Sequence, residues 1–566
     1  MLFFARLAPS MVALIELAFV LGALALIFLR PAKKQPTLQR LQEKFSCLAR
    51  NQKLSVLAVI LSVLLTRAVL IPVLGIPAPR WEDEFSYLLA ADTFAHGRLT
   101  NPTHPMWQHF ETLHEIQQPT YMSMYPPAQG MALAAGEKLG DPWIGQLVVT
   151  ALMCGAICWM LQAWLPPGWA LLGGFLSVLR LGLLSYWMNG YWSASIVAFA
   201  GALVLGALPR IQRHPHTRDA ILMALGLAIL ANSRPYEGFV LSLPVLAIML
   251  WWLWKNRQRS TAWLRVVMPV VVILSLTAIA TGYYYQRVTG SPFRMAYVIN
   301  RRQYAIAPYF LWQKPNPEPN YRHEAMRRFY HWEFGLYQHD ITPAGFLRTS
   351  AGKVALWWSF YLGPLLTVPL FAFPCILRDR RMRFPLIALA IFILGLALEV
   401  FTFPHYFAPA TCLLYLVLMQ CMRHLRLWRW KGRPVGLSLV RAIPVLAFAM
   451  ITLRVAAAAA HAPIEPAWPR GNLPRARIEK CLSRRPAKSL VIVRQHPIQI
   501  DKEWVYNDAH IDASKVVWAR DMGAQANQEL IRYFRDRDVW ILSFRDQFED
   551  SPIVTSYDGN IPLHCP

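Results

Sequence analysis

The sequence predicts an all-α polytopic membrane bundle of about twelve transmembrane helices, followed by a small soluble α/β domain at the C-terminus. Three observations predict it. The chain is 55% hydrophobic with a mean hydropathy of +0.31, and its apolar residues come in long blocks rather than in amphipathic stripes. Blocks of about 18 or more residues with few charges suit helices that cross a hydrocarbon core about 30 Å thick. The basic residues crowd into alternate connections between these blocks. The last hundred residues abandon the pattern and read as short helices and strands.

The blocks give spans near 11–29, 54–74, 143–164, 170–187, 191–208, 219–232, 236–254, 264–285, 353–377, 384–402, 405–424 and 435–458. The first is expected to be an extra, uncleaved helix. Arg30, Lys33 and Lys34 follow it at once, and no small-residue cleavage site intervenes. The net charge of +25 reports topology. Its basic clusters, Arg30–Lys53, Arg210–Arg218, Lys255–Arg265, Arg378–Arg383 and Arg423–Arg433, all fall on one side of the predicted bundle, which the positive-inside rule makes cytoplasmic. No nucleic-acid partner is expected. The organisation is therefore 1–53, an extra helix and a basic cytoplasmic loop; 54–458, the membrane domain with outside loops 75–142 and 286–352; and 459–566, an outside α/β domain. In a bacterial inner membrane, that outside is the periplasm or the exterior.

Asp83–Ala95 reads as an amphipathic helix lying along the membrane surface, with Phe85, Leu88, Leu89 and Phe94 on its apolar face. Asn101–Pro127 has too many prolines and aromatics for a regular element, and Pro126-Pro127 can start a helix toward Lys138. The 286–352 loop is long, aromatic and charged, without evident structure. The tail reads as helix 473–484, strands 489–493 and 515–519, helix 525–536 and strand 538–543. Six cysteines lie in or beside spans or on the cytoplasmic side. Cys481 and Cys565 lie in the outside domain, where a disulfide is permitted, and they are expected to pair.

The candidate chemistry clusters on the outside. Glu82-Asp83-Glu84 follows the second span, where a carboxylate near a low-dielectric boundary can act as a general base. The plainer reading is a helix start whose free N–H groups and dipole favour acids. Asp83 is the preferred base, Glu84 its substitute, and Glu82 a solvated neighbour. Arg234 and Glu237, in Ser233–Gly238, can clamp a lipid phosphate or pair so as to staple two helices. His405 and Tyr406 sit at another outside turn and suit phosphate, sugar or an interfacial aromatic belt. Lys353 is a phosphate ligand or a snorkelling lysine. Residues Tyr186–Trp192 offer aromatics and amides for sugar stacking. His96, Arg98, His104, His109 and His114 are too irregularly spaced to suggest a required metal.

With these residues in hand, the chain resembles the GT-C superfamily of glycosyltransferases that use lipid-phosphate sugars. The resemblance is nearest to bacterial members akin to protein O-mannosyltransferases and to lipid A aminoarabinose or galacturonic acid transferases. It rests on Asp83-Glu84 followed by Tyr87, on Tyr125-Pro126-Pro127, on Ser233–Gly238 and on His405-Tyr406. It implies inverting transfer of a sugar from a polyprenyl-phosphate donor to a lipid, glycan or protein acceptor of the cell envelope. Asp83 would be the base and Tyr87 part of the donor site. A good leaving group is already present on such a donor, and neither a nucleotide-binding loop nor a cofactor is needed. The competing functions are a transporter or flippase of lipid-linked glycans, and a polymerase or ligase of them. A transporter should show ionisable residues deep in the spans and an internal repeat. Glu16, Arg67 and Arg180 are the mid-span charges that bear on it.

Overall fold

The computed structural model describes residues 11–29, 36–258, 263–462, 464, 473–494, 504–544, 552–559 and 562–563. Among them, nine helical segments are long and apolar enough to cross a membrane: Met11–Leu29, Gln52–Leu74, Pro142–Trp164, Ala194–Arg213, Pro235–Lys255, Trp263–Thr289, Pro343–Leu377, Pro404–Leu425 and Val435–Ala459. Three shorter helices, Pro167–Ser177, Thr217–Ala231 and Arg383–Ala397, occupy the remaining predicted blocks. The chain is a multi-pass membrane protein.

The bundle is held closely at its centre. Ala194–Arg213 packs between Pro142–Trp164 and Thr217–Ala231. A Cβ at Gly201 would lie only 2.0 Å from the Pro409 carbonyl oxygen, so this helix and the Pro404–Ala410 turn approach as closely as backbones can. The mid-span charges are ties within this packing. Arg180 pairs with Glu16 at 3.1 Å and donates to the carbonyls of Phe360 and Ser359, while Glu16 also accepts the Leu365 N–H. The first helix is thereby bolted to the bundle through a satisfied pair. Arg67 donates to the Gly75 carbonyl and to Asn189 Oδ1, both at 2.9 Å.

Four expectations need correction. Glu82–Ala95 does form a helix, but it is not an amphipathic one with a wet face. Most of its residues are buried, Glu82 among them, so Glu82 is not a solvated neighbour. The reason is tertiary: the tail domain covers Phe85 and Leu89, and Ala90 meets Gly130 of the Pro127–Glu137 helix. The predicted span 170–187 ends early. A π-turn at Val178–Gly182 closes the helix, and 183–193 is irregular and buried. The 286–352 loop contains two helices, Ala296–Tyr304 and Glu324–Asp340. Their apolar anchors, Ile299 and Tyr304 in one and Met326, Phe329, Tyr330 and Tyr337 in the other, are too few to register as amphipathic blocks, yet all are buried. Asn101–Pro127 holds a 3-10 turn, Trp107–Phe110, and a short antiparallel ladder of β1 (Glu115–Ile116) and β2 (Met122–Ser123).

The tail forms a four-stranded sheet. Strands β3 (Lys488–Val493), β4 (Val516–Arg520) and β5 (Arg537–Ser543) run parallel, and β6 (Ile553–Ser556) closes the far edge antiparallel, in the order β4-β3-β5-β6. The strand period of two sorts the side chains into two faces. Leu490, Ile492, Val517 and Ala519 join Leu89, Phe110 and Tyr121 of the first loop in one core. Val491, Val493, Trp518, Trp540 and Leu542 form the other with Trp504 and Leu482. First loop and tail domain thus share a hydrophobic core and stand on one side of the bundle. The second loop joins them there: Asn300 donates to the Glu115 carbonyl at 2.9 Å, and a His323 ring nitrogen lies 2.7 Å from the Gln108 carbonyl. Cys481 is disulfide-bonded; Cys565, its expected partner, lies outside the described residues.

Candidate active site

The helix that begins at Glu82 presents its acids in different directions. Glu84 turns back to the helix start, where one carboxylate oxygen accepts the N–H groups of Arg80 (2.9 Å) and Trp81 (3.2 Å). That is the back-reaching half of a capping box. Its other oxygen accepts the Tyr191 N–H at 3.0 Å. Gly190 makes room: a Cβ there would sit 2.6 Å from that oxygen. Burial pushes the Glu84 carboxyl up to about 7, against the pull of three backbone N–H groups.

Asp83 points elsewhere. Its Oδ1 lies 2.8 Å from His114 Nδ1, and its side chain keeps 15% exposure. His114 has a left-handed backbone, φ 61°, an uncommon conformation for a residue other than glycine. Ser86 Oγ and the Met124 N–H hold its carbonyl, at 2.6 and 3.1 Å. The Tyr125 hydroxyl lies 3.2 Å from the same ring nitrogen that meets Asp83. Burial works against a charged imidazole, but Asp83, with Glu82 and Glu333 beyond it, outweighs burial and raises the proton affinity of His114.

From Tyr125 the site runs inward. Tyr125 stacks on Tyr87 with ring centroids 4.5 Å apart, and the Tyr87 hydroxyl donates to Ser193 Oγ at 3.0 Å. Burial pushes that hydroxyl up to about 12; Arg234 and the Ser193 bond oppose the shift, while Asp83 and Glu237 add to it. Tyr87 therefore lies within electrostatic reach of both the carboxylate and the cation.

Arg234 caps the Pro235–Lys255 helix, and Glu237 is in its first turn. Nη1 of Arg234 is 3.0 Å from Glu237 Oε1, and the guanidinium covers the Tyr406 ring at 4.2 Å. The pair lies within one helix start, so it staples nothing to a second helix. Glu237 engages one nitrogen, and Nε has no partner among the described residues. His405 Nδ1 meets the Tyr186 hydroxyl at 3.0 Å, and its ring lies 4.5 Å from Trp192. Tyr186–Trp192 is thus a buried aromatic wall. Lys353 is buried rather than snorkelling, its Nζ donating to the carbonyls of Leu396 and Glu399.

The second loop adds two tyrosines that no sequence motif marks, together with Arg301 and Glu333 of its charged stretch. Tyr297 bridges Tyr125 and Tyr309, at 5.3 and 5.7 Å, and Arg301 pairs with Glu333 at 2.7 Å while facing Tyr309. The histidines of the first loop scatter to separate partners: His96 to Asp92, His104 to Asp512, His109 to the Arg520 carbonyl and His114 to Asp83. Two groups of donor atoms, those of Glu82, Asp83 and His114 and those of Asp92, His96 and Glu137, each fit within 4.8 Å and have the ligand types of a divalent-cation site.

The site thus holds a carboxylate with one oxygen held by a histidine, a run of packed tyrosines beside it, and a guanidinium with one nitrogen unpartnered among the described residues. No protein-family model matches the chain, and no curated protein matches its sequence. Among solved structures it is similar to ArnT from Cupriavidus metallidurans bound to undecaprenyl phosphate, with 12% identity, 87% of this chain and 93% of that one covered, and a TM-score of 0.48. It is also similar to the Archaeoglobus fulgidus oligosaccharyltransferase tethered to an acceptor peptide, with 12% identity, coverage of 86% and 69%, and a TM-score of 0.45.

Proposed function

We propose that this protein is an integral-membrane glycosyltransferase of GT-C type, with about twelve spans. It moves a hexosyl or pentosyl group, with inversion, from a polyprenyl-phosphate donor to a lipid, glycan or protein acceptor. The reaction takes place on the face that carries the loops and the tail domain, the periplasmic face of a bacterial inner membrane. The observation that carries the reading is two charged groups each oriented by its own partner, Asp83 by His114, which is linked through Tyr125 to Tyr87, and Arg234 by Glu237. Asp83 takes the proton of the acceptor hydroxyl as that oxygen bonds to the anomeric carbon. The bond from that carbon to the phosphate oxygen breaks, and the departing lipid phosphate is received by the free N–H groups of Arg234. His405, Tyr406 and Lys353 line the phosphate side, and Glu84 keeps the helix start in register.

The transporter reading is weakened, because Glu16 and Arg180, two of the three mid-span charges, pair with each other and tie the first helix to the bundle. The test is direct. Purified protein given a synthetic polyprenyl-phosphate sugar and an envelope-derived acceptor fraction is expected to release polyprenyl phosphate, and Arg234→Gln to raise the donor KM. Passage of intact lipid-linked sugar across a proteoliposome membrane without cleavage would sink the proposal.

A further inference from the structure

Between the first and second loops the surface opens into a two-lobed groove, with Gln118 and Gln303 lining both lobes. The larger lobe, about 570 Å³, is walled by Thr103, Thr289, Arg294 and Arg302. The smaller, about 200 Å³, is walled by Trp107, Asn320, Tyr321 and Arg322, with Glu111 and Tyr304 at its back. The larger lobe alone falls within the range of about 300–1,000 Å³ common for small-molecule sites.

The two lobes differ in chemistry. Arg294 and Arg302 are exposed, and among the described residues neither has an ion pair, although most other arginines of the second loop do. Two unneutralised guanidinium groups on one concavity favour an anion, carboxylate or phosphate, because their planar donors match its oxygens. The smaller lobe offers aromatic rings and amides. Trp107 is half-buried with the Arg322 guanidinium 4.8 Å from its ring centre. The Asn320 and Gln118 side chains have no hydrogen-bond partner among the described residues. Aromatic faces beside free amides suit the apolar face and the hydroxyls of a sugar ring.

We propose that this groove binds an anionic oligosaccharide, its acid group in the arginine lobe and a sugar ring in the tryptophan lobe. As the acceptor subsite, it rests on the transferase reading. The groove is also wired to that site. Glu111 is held by Tyr304 at 2.8 Å, Arg322 at 3.2 Å and His323 at 3.4 Å. It stands three residues before His114, and Phe329, packed with Leu113 and Tyr304, lies 5.7 Å from the His114 ring.

A competing use of the arginines is visible. Arg294 follows the end of an apolar helix by five residues, beside Phe293, which is 97% exposed, and such a corner can meet anionic lipid headgroups. The test separates the two. Full-length protein in neutral detergent is titrated calorimetrically with tetragalacturonate, and with maltotetraose as the uncharged control. Tetragalacturonate should bind at least tenfold more tightly and lose affinity with added salt. The double variant Arg294→Gln/Arg302→Gln should weaken it at least tenfold, Trp107→Ala severalfold, and Arg302→Lys least. Equal binding of the two sugars, no binding of either, or an unchanged Kd in the double variant overturns the proposal. So does arginine-dependent binding of phosphatidylglycerol vesicles by a protein inert to the sugar. No donor is present in these titrations, so a protein that fails to cleave polyprenyl-phosphate sugars would sink the transferase reading and leave this result standing.

Discussion

Asp83 and Glu84 are neighbours in the chain and opposites in the fold. Asp83 looks toward the first loop, where one of its oxygens meets His114 and the rest of the carboxylate stays within reach of solvent. Glu84 looks toward the bundle, where both oxygens are consumed by the N–H groups of Arg80, Trp81 and Tyr191. The same functional group is the proposed base in one setting and, by its hydrogen bonds, a structural anchor in the other. What separates them is the number of donors already committed. A carboxylate that must accept a proton from a substrate needs an oxygen that the protein has left free.

The comparison can be broken experimentally. The largest expected effect is Asp83→Asn, which should lower turnover of polyprenyl-phosphate sugar by about 10²–10⁴-fold while leaving the melting temperature nearly unchanged. Full turnover in that variant removes Asp83 from the chemistry. Next is Glu84→Ala, which strips acceptors from three buried N–H groups and should cost roughly 2–4 kcal/mol of stability. Thermal unfolding in detergent reads this directly, and a variant as stable as wild type would show that the anchor is dispensable.

Gly190→Ala presses a methyl group against the Glu84 carboxylate and should cost about 1–3 kcal/mol. That loss should shrink when Glu84 is already alanine, a coupling that a double-mutant cycle measures. On the other side, His114→Gln removes the partner that orients Asp83. Its net hydrogen-bond contribution of about 1 kcal/mol corresponds to a five- to tenfold loss in kcat. The pH profile should shift as well, because the group whose proton affinity Asp83 raises is gone. An unshifted profile would make His114 a packing residue.

The smallest effect is in pH dependence. Burial pushes the folded Glu84 carboxyl up to about 7 from its ordinary value of 4.5, so between those values the folded state holds a proton that the unfolded state has released. This contribution is fully present below about 4.5 and is lost as pH rises through about 7. The stability advantage of wild type over Glu84→Gln should therefore be larger at pH 5 than at pH 8. A difference that does not change with pH would mean that Glu84 is not desolvated as the fold implies.

Much of this was legible in the chain. The apolar blocks located the nine long apolar helices among the described residues, because hydrocarbon demands a continuous apolar stretch, while the block at 170–187 proved to be a shorter helix followed by irregular chain. The tail strands were legible because Val491–Val493 and Val539–Leu542 are too short and too apolar for anything but a covered sheet. Within the site, Asp83, Tyr87, Arg234, Glu237, His405 and Tyr406 were all visible as polar residues at one rim. The partner of Asp83 was not. His114 is thirty-one positions away, in a loop whose proline-rich sequence carries no period, and its left-handed backbone has no signature in a histidine. The helices of the second loop were hidden too, since they are stabilised by a handful of aromatic contacts rather than by a continuous apolar face.

By itself the sequence determined that the chain is built of long apolar helices with a short-stranded tail, and roughly where those helices fall. Those properties are local: they follow from the cost of burying a charge or an unpaired peptide group in lipid. Tertiary structure alone decided that the Glu82–Ala95 helix is buried beneath the tail domain, that Asp83 faces a histidine while Glu84 is spent on backbone N–H groups, and that Arg234 keeps donors free. Those outcomes depend on which distant groups arrive as neighbours, and a hydrogen bond is fixed by the final position of both its partners.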